Sequence, residues 1–187
     1  MRKIIMELIL YHGTDLEIAK KIVATQFLYK SSPYHWLGNG IYFYTDKHLA
    51  KWWTTNPSKN FGVKVENPAI VKTTVQIDKN NILDLRDFET YHNIAEEFER
   101  FFTELYIPHH KETITESQIK CLFFDWYFLI HTDIKIIIGN FFSLDQPYFH
   151  ENEKGFYSHT NLLYGETQVC LHENYQELII DKEVIAI

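Results

Sequence analysis

Three short segments carry residues whose types and spacing could do chemistry. Leu10-Tyr11-His12-Gly13-Thr14 sets a histidine and a glycine at the end of an apolar run. Trp36-Leu37-Gly38-Asn39-Gly40-Ile41-Tyr42-Phe43 sets a tyrosine two residues past a glycine turn. Leu163-Tyr164-Gly165-Glu166-Thr167-Gln168-Val169 sets a carboxylate and an amide two residues apart, on one face of any strand that holds them. Gly13 has no Cβ, so a planar amide can approach its backbone and pair with its N–H and C=O. A tyrosine ring is a flat apolar surface on which another ring can stack. A carboxylate favours the positive charge of an oxocarbenium-like transition state.

Other machinery is missing from the sequence. There is no GxxxxGK[ST] loop and no G-x-S-x-G elbow. Gly38-Asn39-Gly40 lacks the third glycine of a dinucleotide fingerprint and precedes a strand pattern, not a helix. His109-His110 has neither HExxH spacing nor a cysteine partner, so no metal is expected. Any chemistry must come from His, Tyr, Glu and backbone groups. Taken singly, each has a plain alternative: His12 as a turn histidine, Tyr42 as a core aromatic, Glu166 as an exposed strand-edge residue, Gly38 and Gly40 as ordinary turn glycines.

The composition fits an ordinary globular protein. The chain has 187 residues, 45% hydrophobic and 23% charged, which reads as one domain over 1–187 with a sizeable core. Lys and Arg number 18 against 25 Asp and Glu, so a general binder of phosphate backbones is disfavoured. Two cysteines without CxxC spacing, Cys121 and Cys170, point to a reducing compartment, and a cytoplasmic protein is expected. The apolar N-terminal stretch is broken by Glu7, which argues against a signal peptide. Asp125, His131, Asp133 and Lys135 interrupt the most apolar segment and argue against a membrane span.

The elements that must position these residues alternate in type. Glu7 to Tyr11 reads as a strand ending at His12-Gly13. Thr14-Asp15-Leu16-Glu17 has capping-box form and opens a helix to about Thr25, with Thr14 as the cap. After a loop around Ser31-Ser32-Pro33, Ile41 to Tyr44 reads as a strand, with Tyr42 and Tyr44 on one face. Thr45-Asp46 caps a helix carrying Leu49, Ala50, Trp52 and Trp53. A loop spans Asn56 to Asn67, Ala69 to Ile77 is a strand, and Ile82 to Leu85 a short strand or turn. Phe88 to Leu105 is an amphipathic helix with Pro108 beyond it. Thr115-Glu116-Ser117-Gln118 opens another, and its aromatics, like those of Phe88 to Leu105, read as core. Ile134 to Ile138 fits a strand or a helix continuation, and Gln168 to Leu171 and Leu178 to Ile187 close the chain as strands. The fold class is α+β.

In order and approximate spacing, the three segments resemble the His-Tyr-Glu class of ADP-ribosyltransferases, which includes diphtheria-type toxins and poly(ADP-ribose) polymerases. In that class one strand ends in His-Gly, a second carries Gly-x-Gly-Ile-Tyr-Phe, and a third opens with the catalytic Glu. The resemblance implies a split β-sheet core with flanking helices and NAD as substrate. It implies His12, Tyr42 and Glu166 as catalytic residues. His12 would bond a ribose hydroxyl on the adenosine side, Tyr42 would stack on nicotinamide, and Glu166 would accept from the hydroxyl beside the reacting carbon. His12, Gly13, Thr14, Trp36, Gly40, Tyr42 and Gln168 would bind NAD, with Tyr34 or Trp36 offered as a second face to the ring and His35 left as a surface loop residue. Ser158 and Thr160 could line the same cleft. The Glu-x-Gln order departs from members that place a Gln or Glu two residues before the catalytic Glu; a slip of two would give Gln168 the catalytic position.

The implied activity is mono-ADP-ribosylation of a macromolecule, protein or nucleic acid. Small free-standing members of this class are often toxins of toxin–antitoxin or phage-defence modules, which would make an antitoxin protein a partner. The alternatives are an NAD glycohydrolase and an inactive module of the same fold that binds NAD, ADP-ribose or a protein.

Overall fold

The computed structural model describes residues 3–56, 65–106, 115–141 and 165–187. One seven-stranded sheet takes strands from both ends of the chain and is flanked by helices, an α+β architecture. The strands are β1 (Ile5–Asp15), β2 (Ile41–Tyr44), β3 (Pro68–Asp78), β4 (Ile82–Asp84), β5 (Ile136–Phe141), β6 (Glu166–Leu171) and β7 (Ile179–Ala186). The helices are α1 (Leu16–Ala24), α2 (Lys47–Thr55), α3 (Phe88–Arg100) and α4 (Glu116–Ile130). The sheet order is β4-β5-β6-β2-β1-β3-β7, antiparallel except for the parallel β4–β5 pair.

Strand β1 runs further than the apolar pattern indicates. All eleven of its residues pair with β3, from Ile5↔Asp78 to Asp15↔Pro68, so His12 and Gly13 lie inside the strand rather than at its end. That ladder also moves the helix cap. Thr14 is held opposite Ala69, and Asp15 becomes the N-cap of α1. Its carboxylate accepts the Glu17 N–H at 3.1 Å and the Glu66 and Asn67 N–H groups at 3.1 and 2.9 Å. Those bonds hold its pKa below the usual carboxylate range. Asp46 caps α2 as expected, accepting the His48 N–H at 2.6 Å. The capping box of α4 is present in both directions between Thr115 and Gln118. The long aromatic helix is divided: α3 ends at Arg100 and a π-helical turn, Phe101–Tyr106, follows. Ile136 to Phe141 is a strand, because parallel pairing with β4 and antiparallel pairing with β6 claim its backbone groups.

Strands β5 and β6 are buried on both faces by period-two alternation, whereas Ile5, Met6 and Ile9 of β1 and Ile180 of β7 are exposed. Ile136, Ile138, Val169, Leu171, Leu10 and Val71 pack with Ala19 and Ile22 of α1 and with Phe27. Ile137 and Cys170 point the other way, into Leu37, Phe101, Phe123, Phe124, Tyr127 and Phe128 around α3 and α4. The aromatics of α4 and Phe98 of α3 are therefore core, whereas Phe88 and Tyr91 of α3, expected in the core, are exposed. No helix among the described residues is long and apolar enough to cross a membrane.

Candidate active site

Strands β1 and β2 pair at one position, Tyr11↔Tyr44, and beyond it run toward Thr14 and Ile41 without a ladder. The split opens a cavity of about 730 Å³, within the range that holds small-molecule and cofactor ligands. His12, Gly13, Thr14, Trp36, Gly40, Tyr42, Glu166 and Gln168 all line it. The segments singled out in the sequence thus meet in one hollow, although up to 154 positions, from His12 to Glu166, separate their key residues.

His12 bridges the split. Its Nδ1 lies 2.8 Å from the Tyr42 carbonyl oxygen, and its ring packs edge-on against Phe27 and Phe43. A carbonyl only accepts, so Nδ1 carries the proton. Burial lowers the His12 pKa, with the Tyr42 bond partly opposing it. The ring is therefore neutral near pH 7, with the Nε2 lone pair free to accept from a ligand hydroxyl. A histidine whose folded pKa is lowered stabilises the fold above the unfolded value of about 6.5, and that stability is lost as pH falls toward the folded value. Burial acts in the same direction on His35 and His172. The melting temperature is expected to fall between about pH 7 and pH 5, and His12→Asn, which keeps a donor near the Nδ1 position, to fall less steeply. Equal slopes in thermal melts of the two proteins would contradict the assignment.

Tyr42 is fixed at both ends. Its carbonyl holds His12, and its hydroxyl accepts from the Leu37 N–H at 2.6 Å and donates to the Gly38 carbonyl at 2.8 Å. Burial raises that hydroxyl well above the ordinary phenol range, so the hydroxyl stays protonated. Gly38 has a φ of 79°, a left-handed conformation that glycine adopts without strain, which lets the turn close over the hydroxyl. Tyr42→Phe leaves the buried Leu37 N–H without its acceptor and the Gly38 carbonyl with only the Cys170 thiol, 3.8 Å away, and is expected to cost about 2 kcal/mol. Chemical denaturation reads this directly; a change below about 0.5 kcal/mol would mean the turn needs no such tie.

Glu166, at the start of β6, is 3% exposed. The Gln168 amide, on the same strand face, donates to its Oε1. Thr167 points the other way and bonds Asn140 at 2.6 Å. Among the described residues lining the cavity, Glu166 is the only carboxylate and Lys30 the only lysine or arginine. The rest of the wall is largely aromatic.

Several residues occupy places the sequence did not indicate. His35 is half-buried in the cavity wall, its ring 5.1 Å from that of Tyr42, because the glycine turn folds the loop back over β2. Tyr34 and Trp36, which the sequence does offer as a second face to a ring, line the same wall, and Trp36 packs on Phe141 at 4.5 Å. Trp52 and Trp53 of α2 line it as well. Nothing in the local pattern separates them from Leu49 and Ala50 of the same helix, which are buried. Gly13 also faces the cavity, but the place of its missing side chain is taken by α2. A Cβ there would overlap the Ala50 carbonyl oxygen and come within 2.7 Å of Thr54 Cγ2. Among the described residues no group of three His, Cys, Asp or Glu side chains is placed to hold a metal ion. Pro108, His109-His110, Ser158, Thr160 and the Leu163-Tyr164 start of the third segment lie outside the described residues.

No protein-family model matches the chain. Over 81 residues it is 40% identical to an uncharacterized protein of Methanocaldococcus jannaschii, a match covering 43% of this chain and 38% of that protein's length.

Proposed function

We propose that the protein is an NAD-dependent mono-ADP-ribosyltransferase of the His-Tyr-Glu class, acting on a macromolecule from the cytoplasm, in the manner of the small toxin-type members. The observation that carries the reading is the meeting of His12, Tyr42 and Glu166 in one cavity at the split between β1 and β2. An aromatic wall suits a planar heterocycle. A buried carboxylate, the one among the described lining residues, suits a reaction in which positive charge appears on a sugar.

In this reading nicotinamide lies against Tyr42 and the adjacent ribose faces Glu166. The bond from ribose C1′ to the nicotinamide nitrogen breaks, and nicotinamide leaves with the electron pair as a neutral molecule. Glu166 accepts from the 2′-hydroxyl and stabilises the oxocarbenium character at C1′. A nucleophile of the acceptor then bonds C1′ and gives up its proton. Neutral His12 accepts from an adenosine ribose hydroxyl through Nε2.

The test is incubation with NAD labelled in its adenylate phosphate, together with fractionated cell lysate. The reading expects released nicotinamide and label on protein, RNA or DNA. Nicotinamide release without label would make water the acceptor and the protein a glycohydrolase. Intact NAD throughout, with no binding by calorimetry, would overturn the reading.

A further inference from the structure

Helix α4 reaches the wall of the cavity through one face. Lys120 Nζ sits 5.7 Å from the centre of the Trp36 ring, Phe124 packs on Gly38, and the Cys121 thiol lies 3.3 Å from the Ser32 carbonyl oxygen. The strongest of these links is Asp125. Its two oxygens accept both donors of Asn39: the backbone N–H at 2.5 Å and the side-chain amide at 2.6 Å. The Asn39 amide oxygen in turn accepts from the Ser32 N–H at 3.0 Å and the Ser31 hydroxyl at 3.2 Å. A backbone N–H can only donate, so the amide oxygen must face Ser32 and its NH₂ must face Asp125. Gly38, next to Asn39, carries the carbonyl that holds the Tyr42 hydroxyl. A continuous chain of bonds therefore runs from α4 through Asn39 and the glycine turn to the Tyr42 ring.

We propose that Asp125 is a positioning residue for the cavity: by clamping Asn39 it fixes loop 31–40, and with it the aromatic wall that receives the planar part of the substrate. This rests on the functional reading above. Asp125 touches no substrate in that reading. Its contribution is to hold a surface already shaped for binding, so its loss weakens binding in ground and transition states alike.

The polarity of the clamp supplies a decisive test. Asp125→Asn sets an NH₂ against one of the two Asn39 donors. Asn39→Asp sets a carboxylate against a carboxylate. The double variant reverses the pair, and the Cys121 thiol, 3.7 Å from both Asn39 Nδ2 and Asp125 Oδ2, keeps the Ser32 carbonyl as its acceptor at 3.3 Å. The new amide at 125 donates to the new carboxylate at 39, and its oxygen still accepts the backbone N–H of residue 39. The Ser32 N–H and Ser31 hydroxyl still find an acceptor. For nicotinamide release, each single variant is expected to raise KM for NAD about tenfold with kcat within about twofold, and the double variant to return within about threefold of wild type. Singles with unchanged KM, or a double variant as impaired as the two singles combined, would overturn the proposal. Alkylation of Cys121 by iodoacetamide, followed by peptide mass spectrometry, gives a readout independent of NAD. Cys121 is buried against the clamp, and its thiol is pushed up to about 12 by that burial and by the Asp125 carboxylate beside it. Asp125→Asn is expected to react faster than wild type, and the double variant, which restores both the clamp and a neighbouring carboxylate, to match wild type; equal rates in these three proteins overturn the clamp. If wild type neither binds nor splits NAD, the functional reading fails, and the alkylation rates alone decide the clamp.

Discussion

Glu166→Gln is expected to lower the rate of nicotinamide release by about 10²- to 10³-fold while leaving the fold intact. The glutamine has the size and shape of the glutamate, and its amide oxygen can still accept from Gln168, so the start of β6 keeps its packing. What it loses is the negative charge. In a largely aromatic cavity with no second carboxylate among its described lining residues, the charge of the buried Glu166 has no substitute. A fixed charge in a water-poor site acts more strongly on a developing cation than it would in water. Gln168→Ala keeps the charge and removes its orienting donor, so a smaller loss of about tenfold is expected. Single-turnover assays with thermal melts as a control separate these outcomes. Full activity in Glu166→Gln with loss in Gln168→Ala would move the catalytic position two residues along the strand.

Gly13→Ala is expected to destabilise the protein by about 3 kcal/mol or more, lowering the melting temperature by roughly 10 °C. The reason lies in packing. The new methyl would overlap the Ala50 carbonyl oxygen, a backbone atom in the middle of α2, and press on Thr54, which is buried. A flexible side chain could swing away, but a helix backbone moves only as a unit. Either α2 lifts from β1, carrying Trp52 and Trp53 away from the cavity, or β1 shifts against β3 across an eleven-residue ladder. Both routes disturb the site along with the fold. Near-wild-type melting of Gly13→Ala would mean that α2 and β1 are held apart more loosely than their contacts indicate.

The candidate site was legible in the sequence to the extent that it is written in short segments. His12-Gly13, Gly38 to Tyr42 and Glu166-x-Gln168 are local patterns, and the cavity brings them together. The limits of β1 were not legible, because its last four residues are extended by pairing with Pro68 to Val71, more than fifty positions away. The same ladder places Thr14 in the strand and passes the helix cap to Asp15, although both residue types cap well. His35 reads as a loop residue because nothing local states that the turn at Gly38 will fold it onto Tyr42. The Asp125–Asn39 clamp joins residues 86 positions apart, one within an apolar helix and one within a glycine turn. No periodicity signals such a pair. Helix and strand types follow from local patterns of burial, whereas boundaries and polar clamps follow from which distant backbone groups need partners.

The decisive measurement is diffraction from crystals of the Glu166→Gln protein grown with NAD. Intact NAD is expected in the cavity between β1 and β2, with nicotinamide on the Tyr42 ring, ribose C1′ facing residue 166, and a ribose hydroxyl of the adenosine half within hydrogen-bond reach of His12 Nε2. NAD bound on another surface, or a cavity that stays free of it at saturating concentration, would rule out the proposed transferase site.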